Sequence, residues 1–193
     1  GPYTFLHLAT YTGNKKADAF IESAVSAYVS LSKKLAETGA VYISFAEPAL
    51  VFDMTDEDKK LFLEIYKSLL SKIKNDSKIK TILTTYFGDI RDIYKEAVSL
   101  PFDAVNLDFV EGKKSLELVK SGFPKHKLLF AGILCGKNIW RADYSQKKDL
   151  LSELKKLIPS ENIVIGTSCS LLHVPYTTRE ESKLEESVLN HFA

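Results

Sequence analysis

The stretch AVNLDFVEGKKSLELVKSGFPKHKLLFAGIL, residues 104–134, decides the fold class. Ala104–Phe109 is a short, largely apolar run suited to a buried strand. Lys113–Lys120 has helical spacing, and Gly122 supplies its stop. Leu128–Leu134 is a second strand run. Two strands joined through a helix pair in parallel, because a parallel connection needs a crossover of a dozen residues or more.

Working outward, the same alternation repeats. Ile79–Tyr86 is read as a strand and Ile90–Val98 as a short helix ending before Pro101. Val41–Phe45 is a strand, after which Thr55 opens a helix with Asp58 in a shortened capping box. That helix points Phe62, Tyr66, Leu69 and Ile73 inward. Asp18–Glu37 places Phe20, Ala24, Tyr28, Leu31 and Leu35 on one face, with Gly39 behind, and Tyr3–Leu8 is read as a strand. On the other side, Lys147–Leu157 is a helix stopped by Pro159, and Ile163–Thr167 is the last strand. Thr178 and Glu181 form a capping box for a terminal helix carrying Leu184, Val188 and Phe192.

This pattern predicts six consecutive strand–helix units in a single domain, residues 1–193. It is an α/β fold with a helix-covered parallel sheet. Two architectures fit: an open doubly wound sheet, or part of a (βα)8 TIM-type barrel. A whole barrel takes about 250 residues, leaving this chain short by roughly two units of about 30. A chain that starts in a strand and ends in a helix would lack units before Gly1.

Charge excludes more than it suggests. Twenty-six Lys and Arg balance 25 Asp and Glu, which gives no basic footprint for nucleic acid. No apolar run approaches the ~20 residues of a membrane span, and no export signal is visible at the amino terminus. The expectation is a cytoplasmic protein with neither nucleic-acid nor membrane partners, and with Cys135 and Cys169 as free thiols.

In a parallel α/β fold, chemistry collects at the carboxyl ends of the strands. Those ends are polar here: Glu47, Thr84-Thr85-Tyr86, Asn106, Asp108, Cys135, and Ser168-Cys169-Ser170 with His173 close behind. Singly, each reads as a cap or turn residue; as a set they resemble a cleft lining. Glu47 and Asp108 are candidate acid–base carboxylates or, equally, structural partners. Cys169 and His173 offer two metal ligands or a nucleophile pair, but zinc takes three or four protein ligands and no second ligand motif occurs. Gly136-Lys137-Asn138-Ile139-Trp140-Arg141 suits an anion, a planar ligand or a docked domain. No GxGxxG or GxxxxGK[ST] is present, so no motif implies a cofactor. His7 is read as a packed core histidine, and His126 and His191 as exposed.

Five segments carry a family resemblance in order and spacing. They are Gly1-Pro2-Tyr3-Thr4-Phe5-Leu6, Glu47-Pro48-Ala49-Leu50-Val51, Leu83-Thr84-Thr85-Tyr86-Phe87-Gly88, Gly136-Lys137-Asn138-Ile139-Trp140-Arg141 and Ser168-Cys169-Ser170-Leu171-Leu172-His173. Together they resemble the amino-terminal domain of the cobalamin-independent methionine synthase family, over essentially the whole chain. The resemblance implies a partial TIM barrel of about six βα units, strands three to eight, with Gly1-Pro2 at a fragment boundary. It implies methyl transfer from a methyltetrahydrofolate polyglutamate to homocysteine, giving methionine. The active site would lie between this barrel and a carboxyl-terminal barrel that holds zinc. This chain would supply scaffold and cleft wall, would be inactive alone, and would carry no cofactor.

The cleft candidates are Glu47, Asp108, Trp140, Arg141, Cys169 and His173. Where the family's other barrel has zinc ligands, this sequence has Thr84-Thr85-Tyr86 and Asp108, and only Cys169 keeps the ligand type. Ala46 also departs from the family's usual Asp before Glu-Pro-Ala-Leu. A stand-alone barrel-like module for a small anionic ligand is the alternative, resting on Lys137 and Arg141. A third reading makes Cys169 a nucleophile with a depressed pKa.

Overall fold

A computed structural model describes residues 1–179 and 182–189. Five parallel strands form one sheet: β1 (Tyr42–Ala46), β2 (Lys80–Thr84), β3 (Ala104–Asp108), β4 (Leu128–Leu134) and β5 (Ile163–Thr167). Their spatial order is their sequence order, β1 to β5. A doubly wound sheet reverses its order at a switch point; unbroken order is the winding of a barrel.

Burial across the register agrees. Phe45, Leu83, Val105 and Leu129 form one row facing the helices and are at most 2% exposed. The alternating row, Ala46, Thr84, Asn106, Phe130 and Val164, is only half-buried. Helices cover one face and leave the other open, as in a barrel section whose inner wall is uncovered.

The helices are α1 (Pro2–Leu8), α2 (Ile21–Glu37), α3 (Asp56–Asp76), α4 (Tyr94–Ser99), α5 (Ser115–Lys120), α6 (Tyr144–Leu157) and α7 (Glu186–Leu189). Local signals set several boundaries. Gly39, at φ +87°, closes α2: its amide donates to Ala36 O at 3.0 Å, and Ala40 N donates to Leu35 O at 3.2 Å. That pair of bonds satisfies carbonyls the helix end would otherwise orphan. Thr55 caps α3 as the sequence predicts, with Asp58 N donating to Thr55 Oγ1 at 3.2 Å and Thr55 N to the Asp58 carboxylate at 3.0 Å. Replacing Thr55 by alanine is expected to cost about 1 kcal/mol in urea unfolding; an unchanged midpoint would show the cap to be dispensable. Phe62, Tyr66, Leu69 and Ile73 are buried to 1% or less.

Three expectations are corrected. Tyr3–Leu8 is helical, so the sheet has five strands and not six, and its first edge is β1. Pro2 sits in the first turn, where its missing N–H costs nothing. Tyr3 and Leu6 pack inward at helical spacing while Phe5 and Leu8 are exposed. On α2, Ile21 and Val25 are buried and Leu31 is half exposed. His7 is half-buried rather than a core histidine, its Nδ1 lying 3.2 Å from Asp58 Oδ1. In the carboxyl-terminal segment, Leu184 and Val188 are half-buried. Glu181, His191 and Phe192 lie outside the described residues. No helix among the described residues is long and apolar enough to cross a membrane.

Candidate functional site

The carboxyl ends of β1 to β5 bring the expected residues to one rim, in two tiers. The lower tier is buried and fully engaged. Glu47, just past β1, is 0% exposed. Its Oε1 accepts from Tyr3 N at 2.9 Å and from the Tyr66 hydroxyl at 2.5 Å, and its Oε2 accepts from Thr4 N at 2.6 Å. The carboxylate thus caps the amino terminus of α1, where free amides and the helix dipole favour negative charge. Burial and the neighbouring Glu47 charge push the Tyr66 hydroxyl well above its usual pKa, so it stays a donor.

Asp108, at the end of β3, is 1% exposed. Its Oδ2 accepts from Phe87 N at 3.0 Å; its Oδ1 accepts from Val110 N at 2.7 Å and Glu111 N at 2.9 Å. Phe87 has φ +73°, in the left-handed region that a side chain disfavours. Asp108 therefore holds a strained loop beyond β2 against the loop beyond β3. Gly112 and Ser115 complete this corner, the Ser115 hydroxyl donating to Asp108 O at 2.6 Å.

Cys169 is 6% exposed. A side chain at Gly136 would place Cβ 2.5 Å from Cys169 O and 2.9 Å from its Sγ, so the loops after β4 and β5 close only over glycine. Burial pushes the Cys169 thiol pKa up, and the nearby Asp108 adds to this against the lowering influence of Ser168 and Lys137. A nucleophile needs the opposite shift, so this environment does not favour Cys169 as a catalytic thiol. Iodoacetamide should accordingly alkylate half-buried Cys135 first and reach Cys169 only on unfolding, as read by peptide mass mapping. Equal rates in the folded protein would contradict this burial.

The upper tier is open. The Phe87 ring is its hub: the His173 ring meets it edge-on at 5.4 Å and Tyr86 at 4.7 Å. Lys137 Nζ lies 4.4 Å above its centroid. The same ammonium donates to both Glu111 oxygens at 2.9 Å, which together with the Asp108 field raises its pKa. Asn138 Nδ2 donates to Cys135 Sγ at 3.1 Å, and Asn138 Oδ1 accepts from Trp140 N at 3.1 Å. Trp140, 58% exposed, and His173 line a shallow groove of about 290 Å³ with Val174 and Pro175. Arg141 is exposed beside it.

The two tiers separate the candidates. Glu47, Asp108 and Cys169 are internal struts, whereas Trp140, Arg141 and His173 face solvent. Glu47 and Asp108 point their oxygens into protein amides and a hydroxyl, the arrangement of structural partners. Glu111 was not anticipated, and Phe87 and Gly136 stood in quoted segments without the roles they have here. Those roles rest on Asp108 for Phe87, Lys137 for Glu111 and Cys169 for Gly136, each 21 or more residues away in sequence and beyond any local pattern. No three His, Cys, Asp or Glu side chains among the described residues converge as metal ligands. With both Asp108 oxygens taken up by backbone amides and the Cys169 thiol 3.7 Å from Ser170 O, these strand ends do not fit a tetrahedral zinc.

Comparison with known proteins gives the same frame. Residues 1–159 match the family described as "Cobalamin-independent synthase, N-terminal domain". A Streptococcus pneumoniae (strain G54) protein named 5-methyltetrahydropteroyltriglutamate–homocysteine methyltransferase is 52% identical over all 193 residues. The protein of that name from Lactococcus lactis subsp. cremoris (strain MG1363) is 50% identical over 194 aligned positions. In both cases the match takes in 100% of this chain and 25% of the relative. The chain thus spans about a quarter of the length of these curated relatives.

Among solved structures, a B12-independent methionine synthase from Shewanella sp. W3-18-1 superposes with a TM-score of 0.68 at 15% identity, over 91% of this chain and 55% of that one. A putative vitamin-B12 independent methionine synthase from Listeria monocytogenes gives 0.67 at 14%, over 81% and 50%. At such identities the superpositions speak for the fold alone.

Proposed function

The chain belongs to the cobalamin-independent synthase family, within its N-terminal domain, and on that premise we propose that it forms one wall of a methyl-transfer cleft. The reaction is transfer of the methyl group of 5-methyltetrahydropteroyltriglutamate to homocysteine, the one for which its relatives are named. The observation that carries this reading is the 52% identity running the full length of the chain. In it, residues 1–193 are the later part of an amino-terminal barrel, inactive alone, and a carboxyl-terminal barrel is the partner that brings the zinc.

The chain's own contribution is positioning. Glu47, Asp108 and Cys169 hold the strand-end loops in place from beneath, and Trp140, Arg141 and His173 present the surface that meets the substrate. The Arg141 guanidinium suits the carboxylates of a glutamate tail, which it can engage in a two-pronged pair. The alternative, a stand-alone module for a small anion, is less well supported, because Lys137 already holds Glu111 through both oxygens.

Steady-state methionine formation by the protein at its natural length tests this wall. Arg141→Ala should raise KM for the triglutamate substrate by about tenfold with a smaller effect on kcat, as expected for lost uniform binding. The monoglutamate should be affected less. An unchanged KM for both would remove Arg141 from the cleft.

A further inference from the structure

A second cavity, of about 640 Å³, lies at the opposite, amino-terminal ends of the strands. Tyr42 and Lys80 open β1 and β2 and are register partners, while Asp103 and Lys127 immediately precede β3 and β4. Lys74, Lys80, His126 and Lys127 all line it.

Lys127 is the unusual member. It is 3% exposed, and its amine donates to the Leu100 carbonyl. An ammonium has three donors, and among the described residues this one has no ion pair. Asp103, the acid on the cavity wall, is occupied by Thr81, whose amide and hydroxyl donate to Oδ2 at 2.8 and 3.1 Å. Burial and the neighbouring Lys74 hold the Lys127 amine down to about 8, against a smaller opposing pull from Asp103. Lys80 Nζ sits 5.5 Å over the ring of Tyr42, another lining residue. A buried cation with spare donors, crowded by a second cation, is a place where negative charge is missing.

We propose that this cavity binds a dianionic phosphate group, as inorganic phosphate or as a small phosphate monoester, between Lys74, Lys80 and Lys127. Three ammonium groups around one acid match a dianion better than a single carboxylate, and lysines serve phosphate as compact point charges. Tyr42 and Pro101, both exposed on the same wall, give an ester's organic part an apolar surface. The site lies at the end of the sheet away from the methyl-transfer cleft, so its success or failure is independent of that assignment.

The test is calorimetric titration of the natural-length protein with inorganic phosphate and with phenyl phosphate, at constant ionic strength set by sodium chloride. Saturable binding with one phosphate per chain is expected. Tighter binding of phenyl phosphate would mark a monoester site, and equal binding a site for free phosphate. Lys80→Gln and Lys74→Gln, both at exposed positions, should each weaken binding by about five- to tenfold. Bound phosphate should also slow acetylation of Lys127 by an N-hydroxysuccinimide ester. Lys127→Met should abolish binding; if that variant fails to fold, the two exposed-lysine variants carry the test. No saturable binding of either probe up to about 20 mM, or affinity unchanged in both exposed-lysine variants, would overturn the proposal.

Discussion

Replacing Glu47 by alanine is expected to lower the unfolding free energy by about 3–5 kcal/mol, the largest effect of any single substitution at the strand ends. The change leaves the Tyr3 and Thr4 amides and the Tyr66 hydroxyl without their acceptor in a fully buried site. It also detaches α1, whose Tyr3 and Leu6 belong to the core. Glu47→Gln keeps one acceptor oxygen but turns an amide NH2 toward existing donors, so about half that loss is expected. Tyr66→Phe removes one charge-assisted bond and should cost about 1.5–3 kcal/mol. Urea unfolding of the three variants checks the order. A loss below about 1 kcal/mol for Glu47→Ala would mean that the α1 cap contributes little.

Asp108→Ala should cost about 3 kcal/mol, because three backbone amides lose a buried acceptor together. Its second consequence is local. Without Asp108, the Phe87 amide loses the acceptor that holds its left-handed conformation, and the loop beyond β2 relaxes. Phe87 is the platform for Lys137 and His173, so the upper tier loses its shape as well. Amide hydrogen exchange at Phe87, Val110 and Glu111 should accelerate more than exchange in β2 and β3 themselves. Uniform acceleration throughout the sheet would mean that Asp108 supports global stability and not the rim.

Much of the fold was legible because its signals are local. Thr55 and Asp58 stand three residues apart, and the helix ends at Gly39 through bonds from Gly39 N to the residue three back and from Ala40 N to the residue five back. The bounds of β4 and β5 agree with the apolar runs Leu128–Leu134 and Ile163–Thr167. What misled was Tyr3–Leu8: its aromatic and β-branched residues favour a strand, but its capping carboxylate is Glu47, 44 residues from Tyr3. A propensity set by six residues yields to a contact made across the fold.

The candidate site divides in the same way. That polar residues would gather at the strand ends followed from the parallel topology. Which of them are struts did not, because that depends on partners such as Phe87 for Asp108 and Gly136 for Cys169. Gly136 read as the start of a ligand-binding loop; its glycine is required by the approach of Cys169.

The measurement that bears most directly on the assignment is methionine formation from homocysteine and 5-methyltetrahydropteroyltriglutamate, followed by chromatography. It should be made with the protein at its natural length and with residues 1–193 alone. Methionine from the natural-length protein and none from residues 1–193 is the expected result. Methionine made by the 193-residue segment itself, or none made by the natural-length protein, would contradict the role of this chain as one wall of a methyl-transfer cleft.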